Sequence, residues 1–297
     1  MIKIAIIGGT GLLGSNLVRL FLQYDVKAFS RRLGDNIYDK KNNIIDFNNI
    51  ETELSNYFNK WIPDIIINTV ALVNLEKCEE DYSRAYHINC EIAIKIAKIA
   101  QKYNSYFIHI STDHYYNDNY KIHNEKFPIT LLNNYAKTKY KAEKEISKYN
   151  KKYLIVRTNI IGFRVERVKS FFEWLLCSLK NKEKINLYTN FITSPISVNQ
   201  LGEVLLKCYH KNLMGTYNIS SKEVIDKYSF GIKTAKRFEY SIDNINKSII
   251  ENNSSNKLQR ALSLGLDVSK IEKDLEVNMP TIDKTLDSLY KEYKKYE

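Results

Sequence analysis

The first residues constrain this chain more than any other segment. Ile2–Ile7 is an apolar, β-branched run that leads straight into Gly8-Gly9-Thr10-Gly11-Leu12-Leu13-Gly14, and Ser15–Gln23 then carries helical spacing. A strand that reverses into a helix within a few residues needs glycine where the backbone doubles back. Glycines at 8, 11 and 14 make G-x-x-G-x-x-G, in which Gly8 permits the tight turn, Gly11 lets backbone N–H groups approach a pyrophosphate, and Gly14 lets helix and strand pack closely. The helix N-terminus then faces the anion. A tight βα turn without a ligand would use similar glycines, but the position between a clear strand and a clear helix favours a dinucleotide held by Gly8, Thr10, Gly11, Leu12, Leu13 and Gly14.

The second strand, Val26–Ser30, selects the dinucleotide. NAD readers place an acid at this strand end, about 20 residues beyond the glycines, to bond the ribose 2′-hydroxyl. Here the strand ends in Ser30-Arg31-Arg32, and the nearest acid, Asp25, precedes it. Two guanidiniums suit a 2′-phosphate. The alternative is a solvated surface pair; NADP(H) is favoured over NAD(H).

Strands and helices go on alternating. Ile44–Asp46, Asp64–Val70, Tyr106–Ser111 and Tyr153–Arg157 read as strands, and Ala93, Ile96, Ala97 and Ala100 fall on one helical face. This predicts an α/β fold, a Rossmann-type doubly wound parallel sheet. Later, Ser170–Asn181 and the Leu201, Val204, Leu205, Cys208 face read as helices, Gly215–Ser220 as a strand, Asn252–Asn256 as a loop and Tyr290–Glu297 as a solvated helix face. The expected division is a nucleotide-binding domain over 1–163, with returning segments near 195–220, and a smaller, discontinuous substrate-binding lobe over 164–297.

Composition narrows the function classes. The formal net charge is +11, but the excess is lysine, 36 Lys against 9 Arg. Scarce Arg argues against nucleic-acid recognition. No apolar run approaches the roughly 18 residues of a membrane span. Cys78, Cys90, Cys177 and Cys208 lack short spacing, so reduced thiols in a cytoplasmic protein are expected rather than zinc or disulfides. His109, His114 and His123 follow no metal-ligand pattern, and no metal is expected.

Asn134-Tyr135-Ala136-Lys137-Thr138-Lys139 contains Y-x-x-x-K, which on a helix puts Tyr135 and Lys139 on one face. An ammonium near a phenol favours the phenolate, which suits proton delivery to a carbonyl that receives hydride. In a chain with 22 Tyr the spacing also arises by chance. Ile110-Ser111-Thr112-Asp113 supplies hydroxyls at the carboxyl end of a predicted strand, where open α/β sheets place ligands.

These motifs together resemble the extended short-chain dehydrogenase/reductase family, and within it the dTDP-4-dehydrorhamnose reductase branch. The resemblance rests on the glycine triplet, Asp46-Phe47, Pro63-Asp64-Ile65-Ile66-Ile67-Asn68, Asn89, Ser111-Thr112-Asp113, Tyr135 with Lys139 and Ala142-Glu143, and Val156-Arg157-Thr158. Ser194-Pro195-Ile196 and Gly215-Thr216-Tyr217-Asn218 extend it over nearly the whole chain.

The resemblance implies reduction of a 4-keto nucleotide-diphospho-sugar for deoxysugar and surface polysaccharide biosynthesis. Tyr135 would be the general acid, Lys139 would hold the nicotinamide ribose and depress the Tyr135 pKa, and Thr112 would orient the carbonyl. Asp46 and Phe47 would flank the adenine; Thr69, Val70 and Ala71 would line the cofactor; the sugar nucleotide would lie between the lobes. Asp113, His114, Tyr116 and Asn159 fall at the expected sugar, in segments that depart from the branch: Ser111-Thr112-Asp113-His114-Tyr115-Tyr116 stands where it often reads S-T-D-Y-V-F, and Asn159-Ile160 where it often has an aromatic pair. Rhamnose synthesis does not carry over from the resemblance alone. Epimerisation or dehydration on the same fold, and a non-catalytic NADP-binding regulatory subunit, remain as alternatives; a homodimer is compatible with all three.

Overall fold

A computed structural model describes residues 1–33, 42–118, 122–164, 169–251 and 258–295. The chain forms two compact units: Met1–Thr112 with Asn133–Val156 and Leu205–Tyr217, and Asp113–Leu132 with Arg157–Val204 and Asn218–Glu297.

In the first unit the chain runs β1 (Lys3–Ile7), α1 (Leu12–Leu20), β2 (Asp25–Ser30), β3 (Asn42–Ile44), α2 (Ile50–Phe58) and β4 (Ile65–Asn68). It continues through α3 (Leu75–Glu80), α4 (Tyr82–Tyr86), a π-helical turn at His87–Glu91, α5 (Ile92–Lys102), β5 (Tyr106–Ile110), α6 (Asn134–Tyr149) and β6 (Tyr153–Arg157). The sheet has seven strands in the order Gly215–Asn218, β6, β5, β4, β1, β2, β3. The pairs from β3 through β6 are parallel, with Ile4 opposite Ile65 and Ile65 opposite Tyr106. Every residue of β4 is buried, as expected of a central strand covered on both faces, and this explains the unbroken Ile65-Ile66-Ile67 run. From β1 the chain crosses to β2 and β3 on one side, then returns from β3 to β4 on the other side of β1. A ligand site belongs at the carboxyl ends of β1 and β4, at Gly8 and Asn68.

In this unit two element starts differ by two residues or more from the sequence reading. Helix α1 starts at Leu12 rather than Ser15 because its N-cap is Gly11, which has no side chain to signal the start. Strand β3 is Asn42–Ile44 rather than Ile44–Asp46, since it is an edge strand placed by pairing of Ala28 with Asn42 rather than by burial. The asparagine side chain contributes, as Asn43 Nδ2 donates to Ala28 O at 3.0 Å.

The second unit is built differently. Helix Phe171–Lys180 opens with a capping box in which Ser170 Oγ accepts from Glu173 N–H and the Glu173 carboxylate accepts from Ser170 N–H. Strands Ile185–Tyr188 and Ile245–Ser248 pair in parallel. Two-residue strands make two further pairs, Ile160–Ile161 with Ile196–Ser197 and Ile192–Thr193 with Ile225–Asp226, too short for any periodic signal. The core is aromatic: Phe172 packs edge-on to Phe163 and Phe238, and Phe238 to Tyr290.

The C-terminal helix, Ile282–Tyr293, corrects a further expectation. Leu289 is buried, Tyr293 stacks on Phe163, and the buried Glu292 carboxylate accepts from Asn199 Nδ2 at 2.9 Å, so this end is not a purely solvated face. Asn252–Asn256 lies outside the described residues. Among the described residues no helix is long and apolar enough to cross a membrane.

Candidate active site

The glycine turn is dictated largely by the chain's own contacts. Gly8 N–H donates to Phe29 O at 2.8 Å, and Gly11 N–H folds back to Gly8 O at 3.0 Å. Gly8 has φ +96°, and a Cβ there would meet Thr69 Oγ1 at 2.6 Å; a Cβ on Gly14 would lie 2.1 Å from Gly8 O. Both positions exclude side chains. At Gly11 the nearest atom to a Cβ is Gly8 O at 3.4 Å, an ordinary contact. Packing within the protein therefore does not require glycine at 11, whereas a phosphate held against that backbone would. Thr10 lies in the turn, and Leu12, Leu13 and Gly14 form the first turn of α1, which has no side-chain cap and no acid. Such an end suits an anion.

Thr69 secures the turn by donating its hydroxyl to Ile7 O at 2.9 Å. Val70 N–H donates to Asn68 Oδ1 at 3.0 Å, and half-buried Ala71 follows. A pocket of about 200 Å³ beside this segment is lined by Arg31, Asp46, Phe47 and Val70 among others. Phe47 is buried, and the Arg31 guanidinium stands 6.0 Å from the centre of its ring. Buried Ser30 donates to Arg32 O at 2.7 Å, ordering the turn that carries both exposed arginines; only Arg31 lines the pocket. The Asp46 carboxylate accepts from Asn48 N–H and Asn49 Nδ2, each at 2.9 Å, and so braces the entry to α2. This cradle of uncapped N–H groups, a flat apolar wall and a guanidinium fits a dinucleotide phosphate.

Two titratable residues of this pocket escaped the sequence reading. Arg84 and His87 sit on α4 and the π turn, and no motif spacing covers them. The π turn also aims Asn89 inward, where its amide accepts from Leu72 N–H at 2.7 Å and donates to Leu72 O and to Thr138 Oγ1. π-helical turns often serve such re-aiming.

Helix α6 carries Tyr135 and Lys139. Asn133 caps it, accepting from Ala136 N–H at 2.9 Å, and Asn134 N–H donates to Glu79 Oε1 at 2.6 Å. Tyr135 is 8% exposed and Lys139, one turn on, 1%. Lys139 Nζ donates to Ile110 O at 2.7 Å and lies 3.2 Å from His109 Nε2, so its head rests on the carboxyl end of β5. Ser111 and buried Thr112 follow directly, and Ser111 Oγ donates to Glu143 Oε1 at 2.5 Å. Burial pushes Lys139 down to about 8, against the upward pull of Glu143 and Cys90. Burial and the Lys139 charge hold His109 well below the usual imidazole range.

In the second unit, Asp113 Oδ2 accepts from Asn159 Nδ2 at 2.7 Å and from Thr193 Oγ1 at 3.3 Å. Burial raises the Asp113 carboxyl, opposed by His114 and the Asn159 bond. Asp113 and Asn159 are thus brought together, with His114 beside them, its Nε2 3.9 Å from Asp113 Oδ1. Tyr116 is a correction: it is 0% exposed, stacked on His123 at 4.2 Å, and its hydroxyl accepts from Arg157 Nη1 at 3.1 Å. That environment makes it a core residue rather than a sugar contact. Among the described residues no group of three or more His, Cys, Asp or Glu is placed to hold a metal.

Similar proteins share this architecture. The spore coat polysaccharide biosynthesis protein SpsK of Bacillus subtilis (strain 168) is 26% identical over 264 residues, covering 88% of this chain and 87% of that one. A dTDP-4-dehydrorhamnose reductase of Aggregatibacter actinomycetemcomitans is 26% identical over 244 residues, 78% of each chain. The crystal structure of a dTDP-4-dehydrorhamnose reductase from Bacillus anthracis str. Ames in complex with NADP superposes with a TM-score of 0.85 at 23% identity, over 98% of this chain and 99% of that one. A family model described as the RmlD substrate binding domain matches residues 2–295, and the chain belongs to that family.

Proposed function

We propose that this chain is an NADPH-dependent oxidoreductase that reduces the 4-keto group of a nucleotide-diphospho-sugar, in the manner of dTDP-4-dehydrorhamnose reductases, for deoxysugar and surface polysaccharide assembly. The observation that carries the reading is Lys139: one helical turn beyond Tyr135, it reaches the end of β5 two residues before Thr112. The glycine turn, Thr69, Val70, Ala71, Phe47 and the Arg31/Arg32 pair would hold the cofactor, and Lys139 its ribose. NADPH, when bound, supplies a hydride to the carbonyl carbon. The Tyr135 hydroxyl delivers the proton to the carbonyl oxygen, completing an alcohol, while the Thr112 hydroxyl orients that oxygen. The second unit, with Asp113, His114 and Asn159, takes the sugar nucleotide. A homodimer in the cytoplasm completes the proposal, and the four cysteines, all free thiols, suit a reducing compartment.

The test is fluorescence titration with NADPH and NADH, followed by NADPH oxidation across a panel of 4-keto nucleotide sugars. NADPH is expected to bind more tightly, and Arg31→Ala to cost it about tenfold while sparing NADH, roughly the weight of one charge-assisted contact. Equal affinity for the two cofactors sinks the 2′-phosphate reading. Sugar conversion without net NADPH consumption would mean epimerisation or dehydration, and binding with no turnover on any sugar a regulatory role.

A further inference from the structure

His109 has no part in the reduction as described, yet it is 0% exposed and touches Lys139 directly. Its two ring nitrogens face two different partners. Nδ1 lies 3.1 Å from Asn68 Nδ2, and Nε2 lies 3.2 Å from Lys139 Nζ. The Asn68 amide is oriented by its other end, since Oδ1 accepts from Val70 N–H at 3.0 Å; turning it over would set its NH₂ against that N–H. Asn68 therefore presents a donor to His109. A neutral ring facing a donor at Nδ1 accepts there and carries its proton on Nε2.

That proton points at Lys139. An ammonium offers three N–H donors and no lone pair, whereas an amine offers two N–H donors and one lone pair. The amine meets every partner: one N–H to Ile110 O at 2.7 Å, its lone pair to His109 Nε2–H. The ammonium leaves two donors opposed, at one end of the chain or the other.

We propose that His109 is a positioning residue that acts through Lys139: Asn68 fixes its ring as the Nε2–H tautomer, and that proton stabilises the amine of Lys139, so that the resting ammonium gives up a proton more readily. This rests on Lys139 belonging to the reductase site. Once the Tyr135 hydroxyl has given its proton to the product alkoxide, a lysine whose amine is stabilised returns a proton to the phenolate easily. The ammonium becomes the amine, the phenolate becomes the phenol, and solvent later restores the ammonium. The other groups facing Lys139 are Glu143 on its own helix and Cys90 on the π turn; both favour the ammonium, so His109 and burial act against them.

Two measurements on the full chain test this without any sugar. Long-range ¹H–¹⁵N spectra of ¹⁵N-histidine protein, assigned by His109→Gln, are expected to show His109 neutral and protonated on Nε2 from pH 5 to 9. In [ε-¹³C]lysine protein, with the resonance assigned by its loss in Lys139→Met, Lys139 is expected to titrate near 8. His109→Gln, whose amide can turn its carbonyl toward an ammonium, is expected to raise that midpoint by at least one pH unit, a tenfold change in the proton affinity of Lys139. Asn68→Asp, which accepts from Nδ1–H and reverses the tautomer, is expected to raise it further. A Nδ1–H tautomer in the unmodified protein, or a Lys139 midpoint unmoved by His109→Gln, overturns the proposal. The tautomer measurement on the unmodified protein stands even where a variant fails to fold. Neither readout depends on turnover, so absence of reductase activity and failure of the His109 assignment are separate results.

Discussion

Two lysines, one in each unit, are both pushed down to about 8 by burial, and they are held in opposite ways. Lys139 sits on polar atoms with fixed directions, a backbone carbonyl and an imidazole. Lys227 sits among aromatic faces, 4.3 Å from the centre of Phe171 and 5.4 Å from that of Phe191, with the Asp113 carboxylate pulling its affinity for protons back up. Rings and a remote carboxylate favour a cation without specifying where its protons lie. Hydrogen-bond partners specify each proton. Burial alone sets the size of the shift; the neighbours determine whether the shifted group is suited to moving a proton or merely to carrying charge.

The comparison breaks first at the residue Lys139 is read to serve. Tyr135→Phe removes one hydroxyl and is expected to lower kcat by about 10²–10⁴-fold in NADPH-oxidation assays while leaving NADPH affinity within a few-fold. Unchanged turnover would reduce Lys139 to a buried curiosity of the same kind as Lys227.

Stability against pH should show the likeness of the two lysines. Between about 8 and the ordinary lysine value the unfolded chain keeps a proton that the folded chain has released. Stability therefore rises with pH through that window. In urea unfolding, the native chain is expected to gain on Lys139→Met by about 3 kcal/mol as pH rises from 8 to 10.5. It should gain less on Lys227→Met, since Lys227 is only half-buried. A flat difference for Lys139 would show that its charge is not desolvated.

The smallest effect separates the pair most sharply. Lys227→Met is expected to leave NADPH affinity within about twofold, because its neighbours Phe171, Phe191 and Asp113 are not among the residues read to hold the cofactor. Lys139→Met is expected to weaken NADPH binding measurably, and equal effects would mean that the two lysines report one shared property of the fold.

The sheet was legible because central parallel strands must be apolar on both faces, so β4 and β6 stand out as β-branched runs and the glycine turn marks the switch beside β1. The glycine positions, Tyr135 and Lys139 were legible for a different reason, being tied to short fixed spacings. Burial of Tyr116 was not, because its ring stacks on His123 and its hydroxyl meets Arg157, partners separated from it by a loop and by 41 residues. Arg84 and His87 reach the pocket beside Arg31 from α4 and from the π turn that follows it, which no propensity marks. The two-residue strands of the second unit fall below the length at which alternation has meaning. His109 was visible as a residue at a strand end, but its tautomer depends on Val70 N–H, a main-chain group that any residue other than proline would supply.

Asn89 gives the segment after β4 a property usually confined to sheets. Its side-chain amide takes both the N–H and the C=O of Leu72, as a neighbouring peptide would on an adjoining strand. In hydrogen–deuterium exchange the Leu72 amide should therefore exchange on the timescale of strand interiors rather than of loops, and its opening should be coupled to that of α6 through Thr138. A stretch with no regular secondary structure is thus bound into the cooperative unit that carries Tyr135 and Lys139.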